Sequence, residues 1–272
     1  MKHWLSILAA LVLAGQAAVV GAAAESFPHR TKYKEVQIME IDNLQRQLDQ
    51  LIVIDVRSKY EYDTMHIKGA LHIPLQSKSF EAEVQKLRAG SNKPIVFYCN
   101  GVTCKKSYEA TEKAMAAGIR NCYAYDAGLH GWAKRYPEHS VLLGKSPMNP
   151  ADYLEKEAYK KRVISGADFE NRMAGGAIVL DIRDLAQRDM SLFPFKEQRA
   201  QLDDSQKIAA VVEEAKRQKK TLLVYDKTGR QAPWFQYYLE QQGVKSYHFM
   251  EGGAEGFFEY KYGKLKVKAP DA

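Results

Sequence analysis

Cys99 and Cys104 are the side chains of this 272-residue chain best suited by type and spacing to covalent chemistry. The run Pro94-Ile95-Val96-Phe97-Tyr98-Cys99 is short and apolar and reads as a buried strand. The loop Asn100-Gly101-Val102-Thr103-Cys104-Lys105-Lys106 leads from it into a helix predicted from Thr103, as N-cap, to Gly118. A cysteine at the carboxyl end of a strand in an α/β sheet stands where such sheets bind their ligands. The loop's backbone N–H groups and the positive end of the helix can converge on its sulfur and stabilise thiolate. Lys105 and Lys106 add charge in the same sense and attract an anion, and Gly101 permits close backbone approach. A nucleophilic Cys99 is one reading; the other is a small buried hydrophobe at a strand end. Position alone leaves both open.

The elements that must position this loop occur twice. Leu51-Ile52-Val53-Ile54-Asp55-Val56-Arg57 and Ala177-Ile178-Val179-Leu180-Asp181-Ile182-Arg183 are apolar runs ending in Asp-x-Arg, 126 residues apart. The strand ending at Cys99 has a counterpart in Thr221-Leu222-Leu223-Val224-Tyr225-Asp226, 127 residues on, followed by a helix predicted from Ala232 to Gly243. Asp126-Ala127-Gly128-Leu129-His130-Gly131-Trp132 matches Glu251-Gly252-Gly253-Ala254-Glu255-Gly256-Phe257 at an offset of 125. A near-constant offset over several elements predicts two tandem α/β domains, each a mainly parallel sheet flanked by helices on both faces. The expected boundaries are 25–145 for the first domain, 146–154 for a linker carrying Pro147 and Pro150, and 155–272 for the second.

Composition narrows the function classes. With 46% hydrophobic residues the chain can bury a sizeable core. The net charge of +7 is spread over both signs with no basic stripe interleaved with aromatics, so it reads as a solvated surface attractive to small anions, not a nucleic-acid site. The run Lys216-Arg217-Gln218-Lys219-Lys220 is the basic end of a helix. Three cysteines cannot staple a fold of this size, and no ligand spacing suggests zinc, so no metal or cofactor is expected. Residues 1–24 read as an export signal: Lys2, an apolar run from Leu5 to Val20, and Ala22-Ala23-Ala24 before Glu25. The run falls short of the ~20 residues needed to span a bilayer, so cleavage after Ala24 and no stable membrane insertion are expected. The mature chain of 248 residues, charge +6, would be periplasmic or secreted. An odd number of cysteines in an oxidising compartment leaves at least one thiol unpaired or dedicated to chemistry.

Taken together these features resemble the rhodanese superfamily. The resemblance rests on Asp-x-Arg after the first strand, then Glu61, then His66-Ile67-Lys68-Gly69-Ala70-Leu71-His72-Ile73-Pro74, then Tyr98-Cys99 and Gly128-Leu129-His130-Gly131-Trp132, and covers nearly all of residues 31–143. Residues 155–262 resemble a second such domain more weakly, since Met190 to Ala200 does not carry the His-Ile-x-Gly-Ala pattern. The resemblance implies a sulfurtransferase in which Cys99 attacks a small anionic sulfane donor such as thiosulfate, carries persulfide, and passes the sulfur to cyanide or a thiol. Asn100, Gly101, Val102, Thr103, Lys105 and Lys106 would form the substrate-binding loop. Many active loops of the family place Arg five residues after the nucleophile, directly before Ser; here that residue is Cys104, and the nearest equivalent pair is Lys106-Ser107. A lysine neutralises an anion without the planar fork of arginine, which leaves the preference for thiosulfate open and disfavours a phosphatase. Asp226 stands where Cys99 stands in the first domain and cannot carry persulfide, so the second domain reads as an inactive partner whose Lys227, Arg230 and Trp234 line the cleft between domains.

Cys104, five positions after Cys99, reads as a resolving thiol that attacks a Cys99 persulfide or sulfenic acid and leaves a disulfide for an exported thiol reductase to reopen. A loop thiol without a role, or a pairing with Cys122, is the competing expectation; Cys122 itself reads as a buried strand residue. Asp55, Arg57, Glu61 and His66 read as a hydrogen-bonded ion-pair network that holds the loop after the first strand. His72, His130 and His139 read as surface or packing residues, and Trp132 as packing beneath the helix that follows the cysteine loop. Two alternatives from other classes stand beside the sulfurtransferase: a non-catalytic binding module with Cys99 idle, and a thiol–disulfide relay using Cys99 and Cys104.

Overall fold

A computed structural model gives the fold of residues 27–188 and 190–263. The predicted export signal, residues 1–24, lies outside the described residues. The first half contains α1 (Ile41–Arg46), β1 (Ile52–Asp55), α2 (Lys59–Thr64), β2 (Met65–Ile67), β3 (Leu71–His72), α3 (Phe80–Gly90), β4 (Ile95–Tyr98), α4 (Lys106–Ala116), β5 (Cys122–Tyr125), α5 (Gly128–Arg135) and β6 (Ser140–Leu142). The second contains α6 (Lys156–Lys160), β7 (Val163–Ile164), α7 (Gly166–Ala174), β8 (Ile178–Asp181), β9 (Glu197–Arg199), α8 (Ser205–Gln218), β10 (Leu222–Tyr225), α9 (Ala232–Gln241), β11 (Tyr247–Met250) and α10 (Gly253–Tyr262).

The apolar runs without alternation become the central strands, as parallel strands covered on both faces should. The first sheet has the order β3-β1-β4-β5 and the second β7-β11-β10-β8-β9, every pairing parallel. A single parallel bridge from Ile38 to Ala124 completes the first sheet where β7 completes the second, so the repeat is topological as well as sequential. Register repeats too: Asp55 lies opposite Tyr98, and Asp181 opposite Tyr225. The protein is thus α/β, with two domains of one topology.

Alternate residues of each strand feed opposite faces. Ile54, Phe97 and Cys99 join Ala110 and Ala114 of α4 on one face of the first sheet. Val53, Val96 and Tyr98 join Leu129 and Trp132 of α5 on the other. Trp132 therefore lies across the sheet from α4 and not beneath it, because α5 crosses to the opposite layer. Each fully buried large apolar side chain of these clusters contributes about 1.5–3 kcal/mol.

Helix α4 begins at Lys106, later than the Thr103 N-cap predicts. The N–H of Cys104 donates to the carbonyl of Gly101, so a separate turn occupies residues 101–104 before the helix can start. The predicted linker, 146–154, is packed: Met148 is 3% exposed, and Tyr153 and Leu154 pack on a cluster that includes Trp234 and Tyr237 of the second domain. The domains share this apolar cluster, and α2 packs on α9.

Candidate functional site

Cys99 emerges from β4 at the centre of the first sheet and is 2% exposed. The first turn of α5 grips the loop that follows: Leu129 N–H donates to the Cys99 carbonyl at 2.8 Å and His130 N–H to the Asn100 carbonyl at 3.0 Å. Only glycine permits this approach at 128. Its φ is +64°, and a Cβ there would sit 2.4 Å from Gly101 N and 2.6 Å from the Asn100 carbonyl carbon. Gly253 repeats the arrangement in the second domain, with φ +61° and a would-be Cβ 2.6 Å from the Asp226 carbonyl oxygen. Gly128 was visible in the sequence as part of the repeat, but not as the residue that seats the loop.

Asn100 is clamped from two sides. Arg57 Nη1 donates to its side-chain oxygen at 3.0 Å, and its amide nitrogen donates to Glu61 Oε1 at 2.8 Å. Arg57 is fully buried and forks onto Asp55, with Nε to Oδ1 at 2.9 Å and Nη2 to Oδ2 at 2.5 Å, and it also donates to the Met65 carbonyl at 2.6 Å. Glu61 closes the chain by accepting from the Ser58 N–H and hydroxyl at 3.0 and 2.8 Å, the capping box of α2. Burial pushes the Glu61 carboxyl up, but the Arg57 charge and the hydrogen bonds from Asn100 and Ser58 outweigh it and hold the group below its ordinary range. Asp55, Arg57 and Glu61 thus form one network that reaches the cysteine loop through Asn100. His66 stands apart from it: Nδ1 bonds the Tyr62 carbonyl at 2.7 Å and the ring stacks on Tyr62. His72 accepts a place nearer the network, with Nε2 3.0 Å from the Arg57 carbonyl.

The two loop sulfurs are joined in a Cys99–Cys104 disulfide with the Cα atoms 6.3 Å apart, inside the range that disulfide geometry requires. Cys122 is a free, buried thiol of β5 whose pKa burial pushes up. The second domain shows what the same loop does with a charged residue in first place. The Asp226 carboxylate accepts backbone N–H groups from Gly229, from Gln231 at 2.5 Å and from Ala232 at 3.0 Å. These donors follow Asp226 by three, five and six positions, which in the first domain are Val102, Cys104 and Lys105. Both loops therefore curl back on their first residue, through N–H donors in one domain and through a sulfur–sulfur bond in the other. Lys105 directs its ammonium to Glu109 at 2.8 Å along the outside of α4, not into the loop.

A cavity of about 540 Å³ opens beside Asn100, Gly101, Val102 and Thr103, between the domains. Trp234 forms its far wall, stacked on His130 with ring centroids 5.3 Å apart and lying 4.9 Å from the Arg57 guanidinium. Lys227 and Arg230, expected in the cleft beside Trp234, do not line it; Lys227 faces Glu255 at 3.8 Å. His130 Nδ1 lies 2.9 Å from the Tyr153 hydroxyl. Burial, reinforced by the positive charges of Arg57 and Lys134, pushes His130 down to about 4, so it is neutral near pH 7. Trp234→Ala is expected to wet this contact and return His130 toward the ordinary histidine range, measured by NMR titration of its ring protons. A value still near 4 would show that Trp234 does not seal the site. No signal in the sequence connects His130 with Trp234, because the contact crosses domains. Among the described residues no cluster of His, Cys, Asp and Glu is placed to hold a metal ion, and no helix is long and apolar enough to cross a membrane.

Residues 39–135 match the family described as Rhodanese-like domain. The curated relatives include the tRNA uridine(34) hydroxylases of Sodalis glossinidius (strain morsitans), 30% identical over 120 residues, and of Yersinia pestis (strain Pestoides F), 26% identical over 110. These matches cover 42% and 39% of this chain, which spans only about a third of each relative, 31% and 30%. Among solved structures, a thiosulfate sulfurtransferase from Pseudomonas aeruginosa aligns over 83% of this chain and 42% of its own, at 15% identity and a TM-score of 0.39. A human single-domain sulfurtransferase aligns over 37% of this chain and 97% of its own, at 23% identity and a TM-score of 0.31.

Proposed function

With residues 39–135 identified as a rhodanese-like domain, we propose that the chain is an exported sulfurtransferase that carries sulfane sulfur as a persulfide on Cys99. The observation that carries this reading is the loop. Cys99 is first in a turn whose counterpart in the second domain directs three backbone N–H groups onto the Asp226 carboxylate. A thiolate or terminal persulfide sulfur at Cys99 would draw the same donors once the disulfide is open. The cycle then begins with two-electron reduction of Cys99–Cys104 by a thiol reductant. The Cys99 thiolate attacks the outer sulfur of thiosulfate, the S–S bond of the donor breaks, and sulfite leaves with the electron pair. Cyanide takes the outer sulfur as thiocyanate, or a thiol takes it as a new persulfide. Alternatively the Cys104 thiol attacks the Cys99 sulfur, hydrosulfide leaves, and the disulfide re-forms. Asn100, held by Arg57 and Glu61, keeps the loop in place through these steps.

The Cys99–Cys104 bond itself favours a second reading, a thiol–disulfide relay in which no sulfur atom is carried. Intact-protein mass spectrometry of the reduced protein separates the two. Incubation with thiosulfate, polysulfide or 3-mercaptopyruvate is expected to add one sulfur atom, absent in Cys99→Ser and removed by cyanide. Loss of two hydrogens with every donor, and no gain of sulfur, would refute the transferase and leave the relay.

A further inference from the structure

The two sulfurs of the loop are unequal. Cys99 is 2% exposed, packed among Ile54, Val56, Phe97 and Ala110. In this disulfide form it is also absent from the residues that line the inter-domain cavity, whose wall is made by its neighbours Asn100 to Thr103. Cys104 sits at the edge of the same cluster, partly exposed, between the exposed residues Thr103 and Lys105. Thiol–disulfide exchange depends on which sulfur a thiolate can reach, and the attacker comes in line with the bond it breaks. We propose that Cys104 is the entry sulfur of this protein, the atom through which an external protein dithiol reduces the loop, and that Cys99 is always the leaving thiolate. The assignment deepens the proposed function, since it explains how the carrier thiol is made ready, and it rests on that reading only for the use made of Cys99 afterwards.

The chemistry balances as two exchanges. A partner thiolate attacks Cys104 Sγ, a partner–Cys104 disulfide forms, and the electron pair of the broken bond leaves on Cys99 Sγ. The second thiol of the partner then attacks its own sulfur in the mixed disulfide and expels Cys104 as thiolate, so the partner is oxidised to a disulfide and the loop is left with both thiols. A monothiol lacks this second step. The released Cys99 thiolate, five residues from the mixed disulfide, attacks Cys104 again and restores the starting bond. The partner class is therefore a dithiol protein, and small monothiols drive the loop poorly.

The test uses the oxidised mature protein and, as probe, a thioredoxin-fold reductase whose resolving cysteine is replaced by serine, with rapid alkylation of free thiols and peptide mapping. The expected product carries the probe on Cys104 and the alkyl group on Cys99; a probe on Cys99 overturns the proposal. In parallel, Cys104 in Cys99→Ser should react with a chromogenic aryl disulfide about tenfold faster than Cys99 in Cys104→Ser, as access dictates; equal or reversed rates also overturn it. Reduction of the wild-type loop as complete with a monothiol as with an equal thiol concentration of dithiothreitol would refute the dithiol partner. Sulfur loading of Cys104→Ser by thiosulfate is measured separately. Loading with the probe on Cys99 sinks the entry assignment alone, and no loading with the probe on Cys104 sinks the transferase alone.

Discussion

Arg57→Ala is expected to destabilise the protein by about 3–5 kcal/mol, the usual consequence of removing one partner of a fully buried ion pair. The substitution takes the guanidinium fork from the fully buried Asp55, strips the Met65 carbonyl of its donor, and frees one side of Asn100. It also opens a space under Trp234, which lies 4.9 Å from the guanidinium. Arg57→Lys keeps the charge but not the fork, so it should recover part of the loss and little of the loop order. Urea unfolding of the three proteins measures the first effect and the rate of sulfur loading the second. A loss of less than about 1 kcal/mol in Arg57→Ala would mean that the network is not a structural support, since that is the size of an exposed ion pair. The same network ties stability to acid. The Glu61 carboxyl is held below its ordinary range in the folded state, so the stability it contributes is present above the unfolded value and lost as pH falls through the folded one.

Gly128→Ala is expected to damage the cysteine loop directly. A side chain at φ +64° carries about 1–2 kcal/mol of backbone strain. The larger effect is collision, because the obstructing atoms at 2.4–2.6 Å are backbone of Asn100 and Gly101, which cannot rotate away. The loop must move, and a displacement of about 1 Å at a reacting group can cost about 100-fold in rate. Gly118→Ala is the control: its φ is +78° but nothing lies within 4 Å of the added carbon. Both variants should lose stability, and only Gly128→Ala should lose sulfur loading out of proportion to stability. Parallel losses would show that the contact between α5 and the loop is not what positions Cys99.

The central strands and the repeat could be read from the sequence because a parallel strand covered on both faces is an unbroken apolar run, and because the same run recurs with the same Asp-x-Arg ending. The cysteine loop could be read because a cysteine at the end of an apolar run is followed by helix. The start of α4 could not, since the turn at 101–104 competes with helix through a backbone bond from Cys104 to Gly101 that residue types do not announce. Trp132 was misplaced for a related reason: spacing shows that it follows the loop, but not which layer its helix joins. Asn100 was visible as a loop residue, but its clamp joins groups 39 and 43 residues away. The stacking of Trp234 on His130 depends on how two domains meet, which no local pattern encodes.

The Asp226 carboxylate has a further meaning in the language of effective concentration. An anion tethered to the chain beside its own N–H donors competes as if present at a local concentration that a free anion in solution cannot match. The second loop therefore behaves as a site permanently bound to an internal ligand. Sulfite, thiosulfate or sulfate titrated into the protein should leave the amide signals of Gly229, Gln231 and Ala232 unmoved. The two copies of one fold thus close the same loop in different ways, one by a bond that a reductant can open and the other by a carboxylate that no redox change removes.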